Sequence, residues 1–187
     1  MSGEGSKVVP LGVALALLAA AGLFFLMTTH GPATPSGVAS SSPYRFDPAA
    51  EAWYQNEAPA FSFRIPEGFA VPNQSVADGR GEEIVLVNKA GDMALIVVLP
   101  LVEGAGNLSA ANIRAFIPDE EPTEFSNATL ADGTAALSFH TSSPDWDGDG
   151  VALWFVHDGF LYELSTAARS APLLELLRQT FYFPAKP

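Results

Sequence analysis

The acidic loop at residues 143–150, SPDWDGDG, has the residue types and spacing best suited to chemistry. Asp145, Asp147 and Asp149, followed by a glycine, match the D-x-D-x-D-G opening of a calcium loop, in which alternate carboxylates converge on one hard cation. The match then fails, because Val156 stands where such a loop carries a bidentate Glu. The loop is either a calcium site with the weak affinity typical of extracellular modules, or an ordinary turn rich in Asp and Gly.

Three other titratable side chains merit attention. His140 and His157 fall on neighbouring predicted strands, but hairpin registry around the acidic loop should place Ala152, rather than His157, near His140. A shared metal is therefore not expected. Glu163 is the one charged residue of an otherwise apolar strand. It is either a functional carboxylate with a perturbed pKa, or a residue that faces solvent or pairs with an arginine such as Arg169.

Motifs for nucleophilic or phosphate chemistry are missing from the sequence. No serine stands in a Gly-x-Ser-x-Gly elbow, and there is neither a Gly-rich phosphate loop nor a basic stripe. The chain has no cysteine, which excludes disulfides, thiolate zinc sites, a cysteine nucleophile and a lipid-modified cysteine. We therefore predict that the protein is not an enzyme, with no catalytic residues and no cofactor other than the possible calcium ion.

Charge narrows the range of partners. The 187-residue chain carries a net charge of −12. About −10 of it falls in Pro59–Pro187, where seven basic residues face seventeen acidic ones. Such a surface repels phosphate backbones and anionic lipid, so nucleic-acid binding is not expected.

The element that organises the fold is a predicted hairpin at Val151–Thr166, folded on Asp158-Gly159. Its strands are almost continuously apolar, which is typical of strands covered on both faces. Five further strands are predicted at Phe61–Ile65, Glu82–Asn88, Met93–Leu99, Glu124–Leu130 and Thr134–Thr141. Helices are predicted at Leu108–Ile117, capped by Ser109, and at Ala171–Thr180, capped by Ser170. Short connections favour an α+β fold, with a mainly antiparallel central sheet of about six to seven strands flanked by helices.

The N-terminus predicts a membrane helix. Val8–Met27 is twenty residues without a charge, about 30 Å of helix, which matches the hydrocarbon core of a bilayer. An uncleaved signal anchor is the favoured interpretation; a cleaved signal peptide and a buried soluble helix are the alternatives. Lys7 stands before this segment, and no Lys or Arg follows it until Arg45, which orients the N-terminus toward the cytoplasm.

The predicted layout has four parts. Residues 1–7 form a cytoplasmic tail, 8–27 the transmembrane anchor, 28–58 a flexible to partly ordered linker, and 59–187 the extracytoplasmic domain. The second half of the linker is rich in aromatic residues. We expect it to pack on the edge of the domain, with residues 48–56 as a short helix, or to dock a partner near the membrane surface.

Two segments resemble a known family. FSFRIPEGF at Phe61–Phe69 is similar to the opening of PsbP-like and DcrB-like domains. HDGFLYEL at His157–Leu164, with the following helix and Phe181-Tyr182-Phe183, is similar to their closing segment, although Thr180 replaces the usual Ser. The likeness covers Pro59–Pro184. It implies an antiparallel sheet flanked by helices in an extracytoplasmic, often membrane-tethered domain, with a role in binding or assembly.

Taken together, these features predict a single-pass protein of the cell membrane, whose C-terminal domain is periplasmic or extracellular. The expected function is that of an accessory subunit or adaptor that contacts a protein partner. The alternative is an envelope protein that binds calcium or a small ligand.

Overall fold

A computed structural model describes residues 42–50, 52–72, 74–77, 81–101 and 108–184, with the backbone alone at 74–77. These residues belong to one compact unit, Ser40–Pro187. The predicted anchor and the first part of the linker lie outside the described residues. Among the described residues, no helix is long and apolar enough to cross a membrane.

The described strands form two antiparallel sheets. The smaller pairs β1 (Trp53–Glu57) with β2 (Ala60–Arg64). The larger contains eight strands, of which seven follow the spatial order β3-β5-β6-β10-β9-β8-β7, while β4 also pairs with β5. Their bounds are β3 Phe69–Ala70, β4 Gln74–Ala77, β5 Gly81–Asn88, β6 Met93–Pro100, β7 Thr123–Thr129, β8 Ala135–Thr141, β9 Gly150–His157 and β10 Phe160–Ala167.

The predicted hairpin is confirmed at the centre of the larger sheet. Strands β9 and β10 pair through a turn in which Asp158 and Gly159 both have positive φ, as a tight hairpin turn requires. β9 is buried from Gly150 to Phe155, because the two faces of the sheet pack against different apolar clusters.

One face carries the main core. There, Leu153, Phe155 and Tyr162 pack with Phe61 and Phe63 of the smaller sheet and with the buried face of α2 (Ala171–Arg178). The opposite face carries a smaller cluster in which α1 (Ala110–Phe116) covers part of the sheet. The buried members of this smaller cluster are Ile113, Ile117, Phe139, Ala152, Trp154 and Leu161. The α+β class and the antiparallel sheet are therefore confirmed.

Local expectations fail at four places. Residues 53–57 form β1 rather than part of a helix, because alternate side chains turn inward and Tyr54 stacks on Phe63 with ring centroids 5.0 Å apart. The strand predicted at Phe61–Ile65 pairs with β1 and not with the central sheet. Gln74–Ala77, which lie in none of the predicted strands, form the short strand β4.

The fourth failure concerns Ser170, one of the two serines predicted to cap a helix. Ser109 accepts a hydrogen bond from Asn112 N–H at 3.2 Å and caps α1 as predicted. Ser170 makes no capping bond, because its hydroxyl instead accepts a hydrogen bond from the Tyr44 hydroxyl at 3.2 Å. That bond fixes the segment before β1 onto the domain, so the aromatic half of the linker packs on the domain edge as expected.

Candidate functional site

The acidic loop is built around a buried tryptophan. Residues 144–146 form a turn of 3-10 helix, Trp146 is only 6% exposed, and Asp147 has a left-handed backbone. The carbonyl oxygen of Ser143 accepts hydrogen bonds from the amides of Trp146 (3.1 Å) and Gly148 (3.0 Å). The loop therefore has a structural explanation: it turns the chain and inserts an indole beneath β9.

The carboxylates of this loop point away from that packing. Asp145, Asp147 and Asp149 are all exposed. In the described part of the chain, no three acidic or histidine side chains lie close enough together to hold a metal ion. Calcium binding at this loop remains a prediction without structural support.

The two histidines lie far apart. His140 pairs across the β8–β9 ladder with Val151, one residue from the predicted Ala152. His157 is six residues further along the same strand β9, about 20 Å at the usual rise per residue. Its ring stacks on Phe183 with centroids 3.6 Å apart, and its Nε2 lies 3.5 Å from Oδ2 of Asp158.

Glu163 is the carboxylate with an altered environment. It is half-buried on β10, between Val97 of β6 and Trp154 of β9. Burial raises its pKa to about 8, and the nearby charge of Glu120 raises the pKa further in the same direction. No ion pair with Arg169 is found among the described residues. The raised pKa agrees with one of the two interpretations, and a functional role for Glu163 stays a prediction.

A cleft of about 530 Å³ lies on the other face of the sheet, beside α2. β7 and β8 supply polar side chains at its rim, including Ser126, Ser138 and His140. Val151 and Leu153 of β9 and Ala171 and Leu174 of α2 also line the cleft, so it is an open, mainly polar groove with some apolar surface.

Charged groups stand at two positions along this cleft. Arg178 of α2 forms a two-point ion pair with Glu175, with atoms 2.7 and 2.5 Å apart, and also donates from Nη1 to the carbonyl oxygen of Thr129. The side chain of His140 lies 3.7 Å from Glu124 through Nε2 and Oε2.

Sequence reasoning missed this cleft. Its walls come from three strands and a helix that are far apart in the chain, and Thr129 and Arg178 are 49 residues apart. The visible signal was the polar composition of residues 123–129, since a strand at the covered centre of the sheet would be apolar.

Comparison with known proteins supports the fold and nothing finer. No protein-family model and no curated protein matches the chain. The solution structure of cyanobacterial PsbP (CyanoP) from Synechocystis sp. PCC 6803 is similar, with a TM-score of 0.51 and 10% sequence identity. The match covers 82% of this chain and 100% of that one. The chain therefore has a PsbP-like fold.

Proposed function

We propose that this protein is a membrane-anchored, extracytoplasmic accessory subunit or adaptor that binds a protein partner through the α2–β7 cleft. We define that cleft by the residues of β7, β8, β9 and α2 that line it. The observation that carries the proposal is the cleft itself. It has a volume of about 530 Å³ and presents both hydrogen-bonding and apolar side chains to a partner.

The chemistry of the domain favours binding over catalysis. Acid–base catalysis needs titratable groups that converge on one reacting atom. The candidate groups do not converge, because His140 and Glu163 lie on opposite faces of the sheet. His140 shares its face with Val151, whereas Glu163 shares the other face with Trp154. We therefore propose a non-enzymatic role.

The anchor sets where binding takes place. The apolar segment Val8–Met27 holds the chain in the membrane, with residues 1–7 in the cytoplasm and the folded domain in the periplasm or outside the cell. The segment before β1 belongs to the folded domain, because Tyr44 binds Ser170 and also packs on Phe69 with ring centroids 5.8 Å apart.

Purification of the full chain from its native membrane in mild detergent tests the proposal. We expect one protein partner at constant stoichiometry. Ser126→Trp places a bulky side chain on an exposed strand position of the cleft and should release that partner. Gln55→Trp makes the same change on the exposed strand β1 and should retain it. A strictly solitary wild-type monomer would contradict the accessory role.

A further inference from the structure

Strand β7 forms one end of the central sheet. It pairs with β8 on one side, and in the described residues no strand pairs with its other side. Most of its side chains are exposed. An unpaired edge of this kind presents free N–H and C=O groups to another chain.

The hydrogen-bond pattern shows which groups of β7 are free. Leu130 N–H donates to the carbonyl oxygen of Thr134 at 2.9 Å. From that pair onward, hydrogen-bonded and non-hydrogen-bonded residue pairs alternate along the antiparallel ladder. Ser126 and Ala128 therefore bond to β8, whereas Asn127 and Thr129 direct their main-chain groups outward. The bond from Arg178 to the Thr129 carbonyl oxygen agrees with this assignment.

The usable edge is short. The register of β7 and β8 shifts between Thr123 and Ser126, and Glu124 has a φ of 51°. A bulge of this kind bends the strand and ends regular pairing. Residues 126–129 remain as the regular edge, and because Arg178 already donates to the Thr129 carbonyl oxygen, the outward N–H and C=O of Asn127 are the groups left for an added strand.

Charge along this edge is mainly negative. Exposed acidic residues stand before, within and after β7: Asp119 and Glu121 precede it, Glu124 is its second residue, and Asp132 follows it. The Glu124 side chain is 75% exposed. Arg178 pairs with Glu175, which offsets its charge, and Arg114 lies over the ring of Phe125 at 4.6 Å, so the acidic residues outnumber the remaining nearby arginine charge. A cationic partner segment is complementary to this edge.

We propose that the β7 edge binds an extended, Lys- or Arg-bearing segment of the partner protein as an added strand. Main-chain hydrogen bonds at Asn127 supply affinity, while alternate side chains of the added strand face the α2–β7 cleft. The proposal rests on the proposed function and states how the partner is recognised.

Peptide binding to the full chain in a neutral detergent tests this mode. The probes are fluorescent nonapeptides of alternating Thr and Lys, of alternating Thr and Glu, and a Thr/Lys peptide with N-methylated amides. We expect only the unmethylated Thr/Lys peptide to bind. Asn127→Pro removes an outward N–H, which edge strands tolerate, and should weaken binding by about fivefold, since one hydrogen bond contributes about 1 kcal/mol.

A second pair of variants keeps the test independent of how Asn127→Pro folds. Glu124→Gln should weaken binding of the Thr/Lys peptide severalfold and reduce its salt dependence. Glu57→Gln, an exposed change on β1, should do neither. Equal binding of the Lys and Glu peptides, or unchanged binding by Asn127→Pro and Glu124→Gln together, would overturn the inference.

The two proposals fail in different ways. If a native partner co-purifies with wild type and equally with Asn127→Pro and Glu124→Gln, strand addition is wrong and the accessory role stands. If neither the wild type nor any variant retains a partner, the accessory role itself is wrong.

Discussion

Arg178 on α2 donates from Nη1 to the main-chain carbonyl oxygen of Thr129, at the end of β7. The same guanidinium pairs with Glu175 on its own helix. This contact joins the helix to the last strand of the sheet and closes one end of the α2–β7 cleft.

Arg178→Met should loosen this junction. It keeps much of the aliphatic length but removes the donors, so we expect the free energy of unfolding to fall by about 1 kcal/mol, the usual contribution of such a bond. Urea titration of the full chain in mild detergent measures the change. Arg169→Met, at an exposed arginine just before the same helix, is the control and should have a smaller effect. Equal stability of the two variants would contradict a structural role for Arg178.

Gly150→Ala should disturb the acidic loop. A Cβ at position 150 would lie 2.6 Å from Cδ1 of Trp146, so the indole has to move. We expect a loss of about 1–3 kcal/mol, as for other overpacked sites, and a red shift of tryptophan emission. Asp149→Ala changes an exposed side chain of the same loop and should leave the emission in place. An unshifted spectrum in Gly150→Ala would show that Trp146 does not pack there.

Tyr162→Phe should leave stability unchanged or raise it slightly. The ring is fully buried and stacks on Phe155, but its hydroxyl has no hydrogen-bond partner among the described residues. Removing an unpaired buried hydroxyl carries no loss of a bond. Tyr44→Phe is the matched comparison, because it loses the bond to Ser170 and should cost about 0.5–1.5 kcal/mol. A clear loss of stability in Tyr162→Phe would show that the hydroxyl is satisfied.

Glu163→Gln should flatten the pH dependence of stability. The pKa of Glu163 is about 8 in the folded protein, against about 4.3 for an ordinary Glu. Between these values the folded state binds more protons than the unfolded state, so stability falls as pH rises through this window, by at most about 1.4 kcal/mol per pH unit.

Gln mimics the neutral acid and cannot ionise, so the variant should become progressively more stable than wild type as pH rises above about 4.3, with the full difference reached by about pH 8. Urea titrations at pH 5, 7 and 9 measure this difference, with Ser165→Ala on the same face of β10 as the control. Parallel pH profiles for wild type and Glu163→Gln would contradict burial of the carboxyl group.

The central hairpin could be predicted because its information is local. Asp158-Gly159 specifies the turn, and the apolar run on either side specifies burial. The strand β1 could not be assigned in the same way. Its inward side chains, Tyr54 and Asn56, gain their partners only after folding, from Phe63 and Glu82. Tertiary packing thus decides against the helix that the composition of residues 48–56 favoured.

Less of the candidate site than of the fold could be predicted from the sequence. The acidic loop matched a motif, yet its aspartates are spread over a turn whose main feature is the buried Trp146. Glu163 was identifiable because a single charge in an apolar strand is unusual. The α2–β7 cleft was not, because it exists only where an incompletely covered end of the sheet meets a helix from the end of the chain.

Site-specific photocrosslinking tests the central claim most directly. A photoreactive phenylalanine analogue at position 126, in the full chain and its native membrane, lies at the rim of the α2–β7 cleft. The same analogue at position 55 lies on the exposed strand β1 of the smaller sheet. We predict that position 126 crosslinks to one protein partner and that position 55 does not. Crosslinking from position 55 alone, or from neither position, would contradict partner binding at this cleft.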